Sequence, residues 1–400
     1  MPTYNLKAGK TLIVNGPASL RLIEGKASIL EYPLSLKKQI VVKSWRSRPV
    51  YAHEDSVIEY TFGEGGSIEE VDGNTVPEKW IETINEVAES DKSILMFIGP
   101  PDSGKTSLAT LALNIFLKTK MQCVFIDLDV GQSNICPPTT MGYTVLRNPI
   151  PDISYARAEY IEAFGYTSPT PLVSRHLECA KRLFNNLLNR YSPQKLIIDV
   201  DGWINGEGAI NHKKELVRIF KPDYLIIIGD ACQELGEHLK EHTVQFRELP
   251  PPFIVRKRSL EARKKLREMM YEKFLRKSII RSIPISWVEL RYITGESRVY
   301  KIASIIDRLI NSFSEDKGVV LEEGLEELCK TYKAGILCYL YDANYNFSGI
   351  GLMTLFNPRK NIMKIYTPFQ SQIKQVILSS LIISVEGSEI FSIPPPILES

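Results

Sequence analysis

The sequence predicts an α/β fold class, a doubly wound parallel sheet flanked by an N-terminal all-β domain and a C-terminal α+β domain. Three observations predict it. Residues 99–106 read Gly-Pro-Pro-Asp-Ser-Gly-Lys-Thr between the apolar run at 94–98 and a helical pattern. Continuous apolar runs at 124–126, 196–198 and 224–228 alternate with helical stretches such as 173–188, as expected for parallel strands covered on both faces. Outside this region the alternation gives way to short β-type segments at one end and to a mixed pattern at the other.

The elements follow in order. Up to about Gly73, short apolar alternations at 11–14, 20–23, 27–30, 40–42 and 57–60 are broken by Gly, Pro and Asn, which reads as a small β domain over residues 1–76. Asp72, Gly73 and Asn74 form a turn, and Trp80, Ile84 and Val87 mark a short entering helix of a second domain, 77–285. In that domain Leu108, Leu111, Ala112 and Ile115 recur at i, i+3, i+4 and i+7, the stripe a helix buries against a sheet. Beyond Ile285 a helix is expected at 299–312 and strands at 335–340, 349–355 and 362–366, giving an α+β domain over 286–400.

Composition bounds the chain's class. Its 400 residues suggest two or three domains at roughly 150 residues each. A hydrophobic fraction of 44% and a charged fraction of 24% are those of an ordinary globular protein with ample core. No stretch approaches the roughly 18 to 20 apolar residues that span a bilayer, and the first residues lack a signal-peptide apolar region. A cytoplasmic location is therefore expected, or a nuclear one in a host with a nucleus. Cys123, Cys136, Cys179, Cys232, Cys329 and Cys338 form no C-x-x-C pair and read as small core residues in a reducing compartment. The net charge of +2 announces no polyanion by itself. Between Arg256 and Lys277, however, ten Lys or Arg face three Glu, either a solvated helix face or a polyanion-binding run.

The chemistry begins at the loop. The spacing G-x-x-x-x-G-K-T, with strand before and helix after, is that of a phosphate-binding P-loop of the P-loop NTPase kind. Gly99, Pro100, Pro101, Asp102, Ser103, Gly104, Lys105, Thr106 and Ser107 are the expected nucleotide-binding residues. Lys105 reaches the terminal phosphates and the Thr106 hydroxyl is suited to Mg2+. The run at 124–126 ends in Asp127, with Asp129 two residues on. Carboxylates at such a strand tip hold Mg2+ or accept a proton from an attacking hydroxyl, and the two point the same way if the strand continues. A guanine-nucleotide protein wants D-x-x-G and N-K-x-D; here Gly131 follows Asp129 by two and no N-K-x-D exists, so ATP is the expected nucleotide. After the 196–198 run, Trp203 stands between Gly202 and Gly206, where an indole either stacks on a base or fills structure. In the basic run Arg263 and Arg267 lie one helical turn apart, suited to the equatorial oxygens of a transferring phosphoryl group. His238 to His242 fits H-x-x-E-H, but an exposed charged helix face is the ordinary explanation.

These motifs together resemble one family in order and spacing: the polynucleotide 5′-hydroxyl kinases related to the kinase subunit of the eukaryotic pre-messenger-RNA cleavage factor and to the pre-ribosomal-RNA processing kinase. The likeness rests on 99–106, on Asp127-x-Asp129-x-Gly131-Gln132, on Gly202-Trp203-x-x-Gly206-x-Gly208 and on Arg258, Arg263 and Arg267, and flanking segments extend it over nearly the whole chain. The resemblance implies transfer of the ATP γ-phosphate to the 5′-OH of RNA, with DNA as a further acceptor, and RNA-processing protein partners. It implies Lys105 and Thr106 on phosphate and metal, Asp127 on metal and Asp129 as the base. Gln132, Gly202 and Trp203 would then serve the substrate, the last two as a clasp on the 5′-terminal nucleotide, and Arg258, Arg263 and Arg267 would form a lid. One departure stands out: the family's clasp usually reads Thr-x-Gly-Trp, and here Val200 takes the first position after Asp199. The alternative function is a non-catalytic ATP-binding scaffold subunit of an RNA-processing assembly.

Overall fold

The computed structural model of the chain describes residues 1–91, 93–229, 233–240, 245–254 and 257–398. It divides into two compact units, one of Met1–Asp127, Tyr143–Ala158 and Leu187–Ala262, the other of Leu128–Gly142, Glu159–Asn186 and Arg263–Ser400. Among the described residues no helix is long and apolar enough to cross a membrane.

The first unit opens with two antiparallel sheets. One has the order Thr3–Leu6, Ser56–Phe62, Ala18–Glu24, Gln39–Val42; the other runs Tyr32–Pro33, Ala27–Ile29, Ser47–Ala52, Lys10–Asn15, Ser67–Asp72. Strict in-out alternation in Ala18–Glu24 and Ser47–Ala52 gives each strand one core face. Ser67–Asp72 carries no such pattern, because it is an edge strand with no fully buried residue.

The same unit holds the parallel sheet, in the order Cys123–Asp127, Lys195–Asp199, Ser93–Ile98, Tyr224–Ile228, Gln245–Leu249. The first four are the continuous apolar runs, and they are buried almost throughout. Gln245–Leu249 is polar and only its last residue is buried, so its sequence gives no strand signal. The helix after the P-loop, Lys105–Lys118, corrects the expected single stripe: every residue from Leu108 to Leu117 is buried. The reason is a second cover. Fully buried Asn114 donates to Leu30 O at 2.8 Å and accepts from Ile150 N–H at 2.8 Å, tying the helix to the N-terminal β region. Lys195, also fully buried, donates to Val87 O (2.7 Å) and Ser90 O (2.5 Å), satisfying the C-terminal end of helix Glu78–Ala88.

In the second unit a mostly antiparallel sheet runs Ile279–Pro284, Ile362–Thr367, Phe347–Asn357, Ala334–Tyr341, Gln375–Ser384, Glu289–Tyr292, with Glu389–Ser392 paired to Gln375–Ser384. Helix Val299–Lys317 contributes Ile302, Ile305, Ile306, Leu309, Ile310 and Phe313 to the same core, the i, i+3, i+4, i+7 spacing of one face. Of the cysteines, Cys123, Cys136, Cys179 and Cys338 are buried thiols and Cys329 is half-buried; Cys232 lies outside the described residues.

Arg48 and Asp152 form a buried ion pair in the first unit. Burial acts to raise the Asp152 pKa, yet the Arg48 and Arg46 guanidinium groups and the Ser154 N–H hold it well below the carboxylate range. As pH falls, the unfolded chain therefore takes up this proton first, and stability is lost below about pH 4. Asp152→Asn should be less stable at pH 7, because Arg48 keeps its charge beside a neutral group, and its acid loss should be shallower. Urea unfolding at a series of pH values measures both; an unchanged acid slope would remove Asp152 from this role.

Candidate active site

Strand Ser93–Ile98 delivers Gly99 to the edge of the sheet and helix Lys105–Lys118 leaves it, so the loop between them turns back at the strand's C-terminal end. A Cβ on Gly99 would lie 2.6 Å from Ser103 Oγ and 2.8 Å from Ile228 O. Gly104 has φ +96°, and a Cβ there would lie 2.9 Å from the Trp80 ring and 3.0 Å from Pro252. Among the described residues the helix start has no side-chain cap, which leaves its N–H groups for an anion, and the buried Ser103 Oγ has no hydrogen-bond partner. These features fit a phosphate group. Lys105, 7% exposed, donates from Nζ to Gly99 O (2.8 Å) and Pro100 O (2.9 Å), so its ammonium lies over the loop. Ser107 is half-buried in the first helical turn.

Asp127 and Asp199 close adjacent parallel strands in direct register, and both are buried. Adjacent strands lie about 4.8 Å apart, so the carboxylates are side by side. Thr106 Oγ1 donates to Asp199 Oδ2 at 2.7 Å. Two buried carboxylates and a hydroxyl form a hard oxygen set, the donor chemistry that suits Mg2+. Sequence reasoning named Thr106 and Asp127 and missed Asp199, although the signal existed: Asp199 ends its apolar run just as Asp127 ends its own. Val200, in place of the expected Thr, is buried and adds no hydroxyl.

The Trp203 turn lies against the P-loop. A Cβ on Gly202 would come within 2.6 Å of Pro101 Cγ and 2.7 Å of its N, so only glycine permits this approach. The Trp203 indole beside it is half-buried. Arg258 is fastened to the same loop: its N–H donates to Asp102 Oδ2 at 3.0 Å, and its Nη1 is 3.5 Å from Asp102 Oδ1. Thus Asp102, expected on the nucleotide, anchors the segment leading into helix Leu260–Leu275, whose first turn Ser259 Oγ caps through Ala262 N–H at 3.1 Å.

The remaining site candidates belong to the second unit. The strand ends at Asp127, so the alternation that would align Asp129 with it stops short. Asp129 Oδ1 instead accepts from the N–H groups of Gly131 (3.0 Å) and Gln132 (2.8 Å), shaping its own loop. Gln132, expected on substrate, donates from Nε2 to Gly131 O (2.7 Å) and Arg263 O (3.1 Å), and so holds the helix that carries Arg263. Arg263 is half-buried. Arg267 is engaged by Glu389 through two bonds, 2.5 and 2.7 Å. Burial works to lower the Arg267 pKa, but Glu389, and more weakly Asp129, hold it above its ordinary value. Arg256 at the head of the basic run lies outside the described residues, as do Glu241 and His242 of the H-x-x-E-H pattern; His238 is exposed on helix Gln233–Lys240.

Comparison with known proteins was consistent with this arrangement. Residues 99–277 match the family model described as mRNA cleavage and polyadenylation factor CLP1 P-loop. A polyribonucleotide 5′-hydroxyl-kinase of Thermococcus kodakarensis is 25% identical over 79% of this chain and 95% of its own. Another, of Methanocaldococcus jannaschii, is 23% identical over 79% and 94%, and a CLP1 homolog of Culex quinquefasciatus is 24% identical over 72% and 71%. A chain of the wild-type Clp1p–Pcf11p complex superposes with a TM-score of 0.70 at 14% identity, covering 95% of this chain and 97% of that one, which establishes the fold.

Gly104→Ala tests the loop geometry. A left-handed backbone costs a side chain about 1 to 2 kcal/mol, and the added methyl would meet a fully buried indole. ATP affinity, measured by calorimetry without metal, should fall about tenfold or more with the circular dichroism spectrum unchanged. Parent-like affinity would refute the tight-loop assignment.

Proposed function

We propose that this chain, whose residues 99–277 match the CLP1 P-loop family model, is an ATP-dependent polynucleotide 5′-hydroxyl kinase acting on RNA. The observation that carries this reading is the seating of the Trp203 turn on the P-loop through Gly202 and Pro101, which sets an aromatic platform beside a phosphate cradle. A small substrate without a base has no use for such a platform, whereas a polynucleotide's terminal nucleotide has a base to stack on it.

In this reading the loop N–H groups and Lys105 bind the β- and γ-phosphates, and Lys105 leaves its contacts with Gly99 O and Pro100 O to do so. Asp129 accepts the proton of the attacking 5′-OH while the new O–P bond forms and the bond from Pγ to the bridging oxygen breaks, releasing ADP. Thr106, Asp127 and Asp199 would hold Mg2+, which when bound neutralises charge on the phosphate oxygens. Arg263 stabilises the equatorial oxygens, with Arg258 holding the lid's base at Asp102 and Arg267 set by Glu389. Trp203 stacks on the 5′-terminal base. Because phosphoryl transfer asks little covalent chemistry of a protein, orientation and charge supply most of the acceleration.

Incubation with γ-labelled ATP and matched 5′-OH RNA and DNA oligonucleotides, with and without magnesium, tests the proposal. RNA should be labelled in a magnesium-dependent way, and Lys105→Ala, Asp129→Ala or Arg263→Ala should lower the rate about a thousandfold or more while the fold survives. Labelling by these variants at the parent's rate would overturn the assignment, and preference for DNA would revise the acceptor.

A further inference from the structure

Behind Trp203 lies an assembly with no part in phosphate binding. Its backbone N–H donates to Asp201 Oδ1 at 2.9 Å, and Asp201 Oδ2 accepts from Lys213 Nζ at 2.7 Å. Lys213 is fully buried and Asp201 is 5% exposed. Lys213 Nζ also lies 3.4 Å from His212 Nδ1 and, as an ammonium, donates there. The His212 ring, 1% exposed, stacks on the Trp203 indole with centroids 5.5 Å apart and planes 30° from parallel. Gly208 closes the arrangement: a Cβ on it would sit 3.2 Å from Trp203 Cζ2.

Burying a lysine and an aspartate is costly, and a hydrophobic pair of the same volume would often be as stable. What the charged pair supplies here is direction. One carboxylate oxygen holds the lysine and the other holds the turn that carries the indole, while the lysine's second bond sets the imidazole beneath it. We propose that Asp201, Lys213 and His212 are positioning residues that fix the orientation of the Trp203 indole as the stacking surface for the 5′-terminal base of the polynucleotide. This inference rests on the reading of Trp203 given above. His212 occupies one side of the indole, so a base stacked on the opposite side completes an imidazole–indole–base sandwich.

The test compares two oligonucleotides that differ only in their 5′-terminal unit, one with a base and one abasic. The parent should favour the base-bearing end in kcat/KM by about 5- to 100-fold, mostly through KM. Trp203→Ala should erase that preference. His212→Leu should erase most of it while leaving turnover of the abasic end and KM for ATP near the parent's, and His212→Phe, which restores an aromatic surface, should recover it. Should His212→Leu fold poorly by circular dichroism, His212→Asn takes its place. For the ion pair, the double substitution Asp201→Asn with Lys213→Met, which strands no buried charge, should reduce the preference as His212→Leu does. If His212→Leu, or the double variant, slows both substrates equally, the assembly is merely structural and the proposal fails. If the preference survives in His212→Leu but not in Trp203→Ala, the proposal fails while the stacking role stands. Survival in Trp203→Ala would overturn the stacking role itself.

Discussion

The chemistry of this protein depends on a register. Asp127 and Asp199 stand level at the ends of two neighbouring parallel strands, out of water, with the Thr106 hydroxyl bonded to one of them. Two ionised carboxylates held this way would repel each other in a medium of low dielectric, and positive charge close by offsets that repulsion. The P-loop and its lysine are consequently complementary parts of one electrostatic solution, which a divalent ion would complete in the proposed reading.

The N-terminal β region shares in that solution. Arg46, half-buried, has its pKa pushed down to about 10 by desolvation; Asp152 and Asp127 act to raise it, while Arg48 and Arg258 act to lower it. It therefore stays charged near neutrality and contributes positive charge to the field felt by Asp127. A β domain that looks like an appendage in the sequence is part of the electrostatics of the sheet edge.

What could be read from the sequence was whatever depends on local pattern. The P-loop, the four buried parallel strands and the helix Val299–Lys317 follow from spacing and apolar runs. Edge strands such as Gln245–Leu249 escape because one-sided burial needs no apolar run. The all-round burial of Lys105–Lys118 escapes because its second cover comes from a region some 80 residues earlier in the chain. Asp102 holding Arg258, and Glu389 holding Arg267, are pairings across 156 and 122 positions, and no spacing rule reaches that far. Aligning Asp129 with Asp127 requires the strand to run two residues farther than it does; the Asp129 carboxylate shapes the turn that follows.

The Asn114 staple has a consequence for how the molecule can be cut. With Leu30 O on one side and Ile150 N–H on the other, the amide marks a helix sheathed on every side. A fragment beginning at the strand Ser93–Ile98 would keep the whole nucleotide motif but strip one flank of that helix, baring a greasy cylinder that water cannot wet and that other copies would cover. The nucleotide motif is thus contiguous in sequence but not autonomous in folding, and the β region is better regarded as a wall of the catalytic sheet than as a separable module.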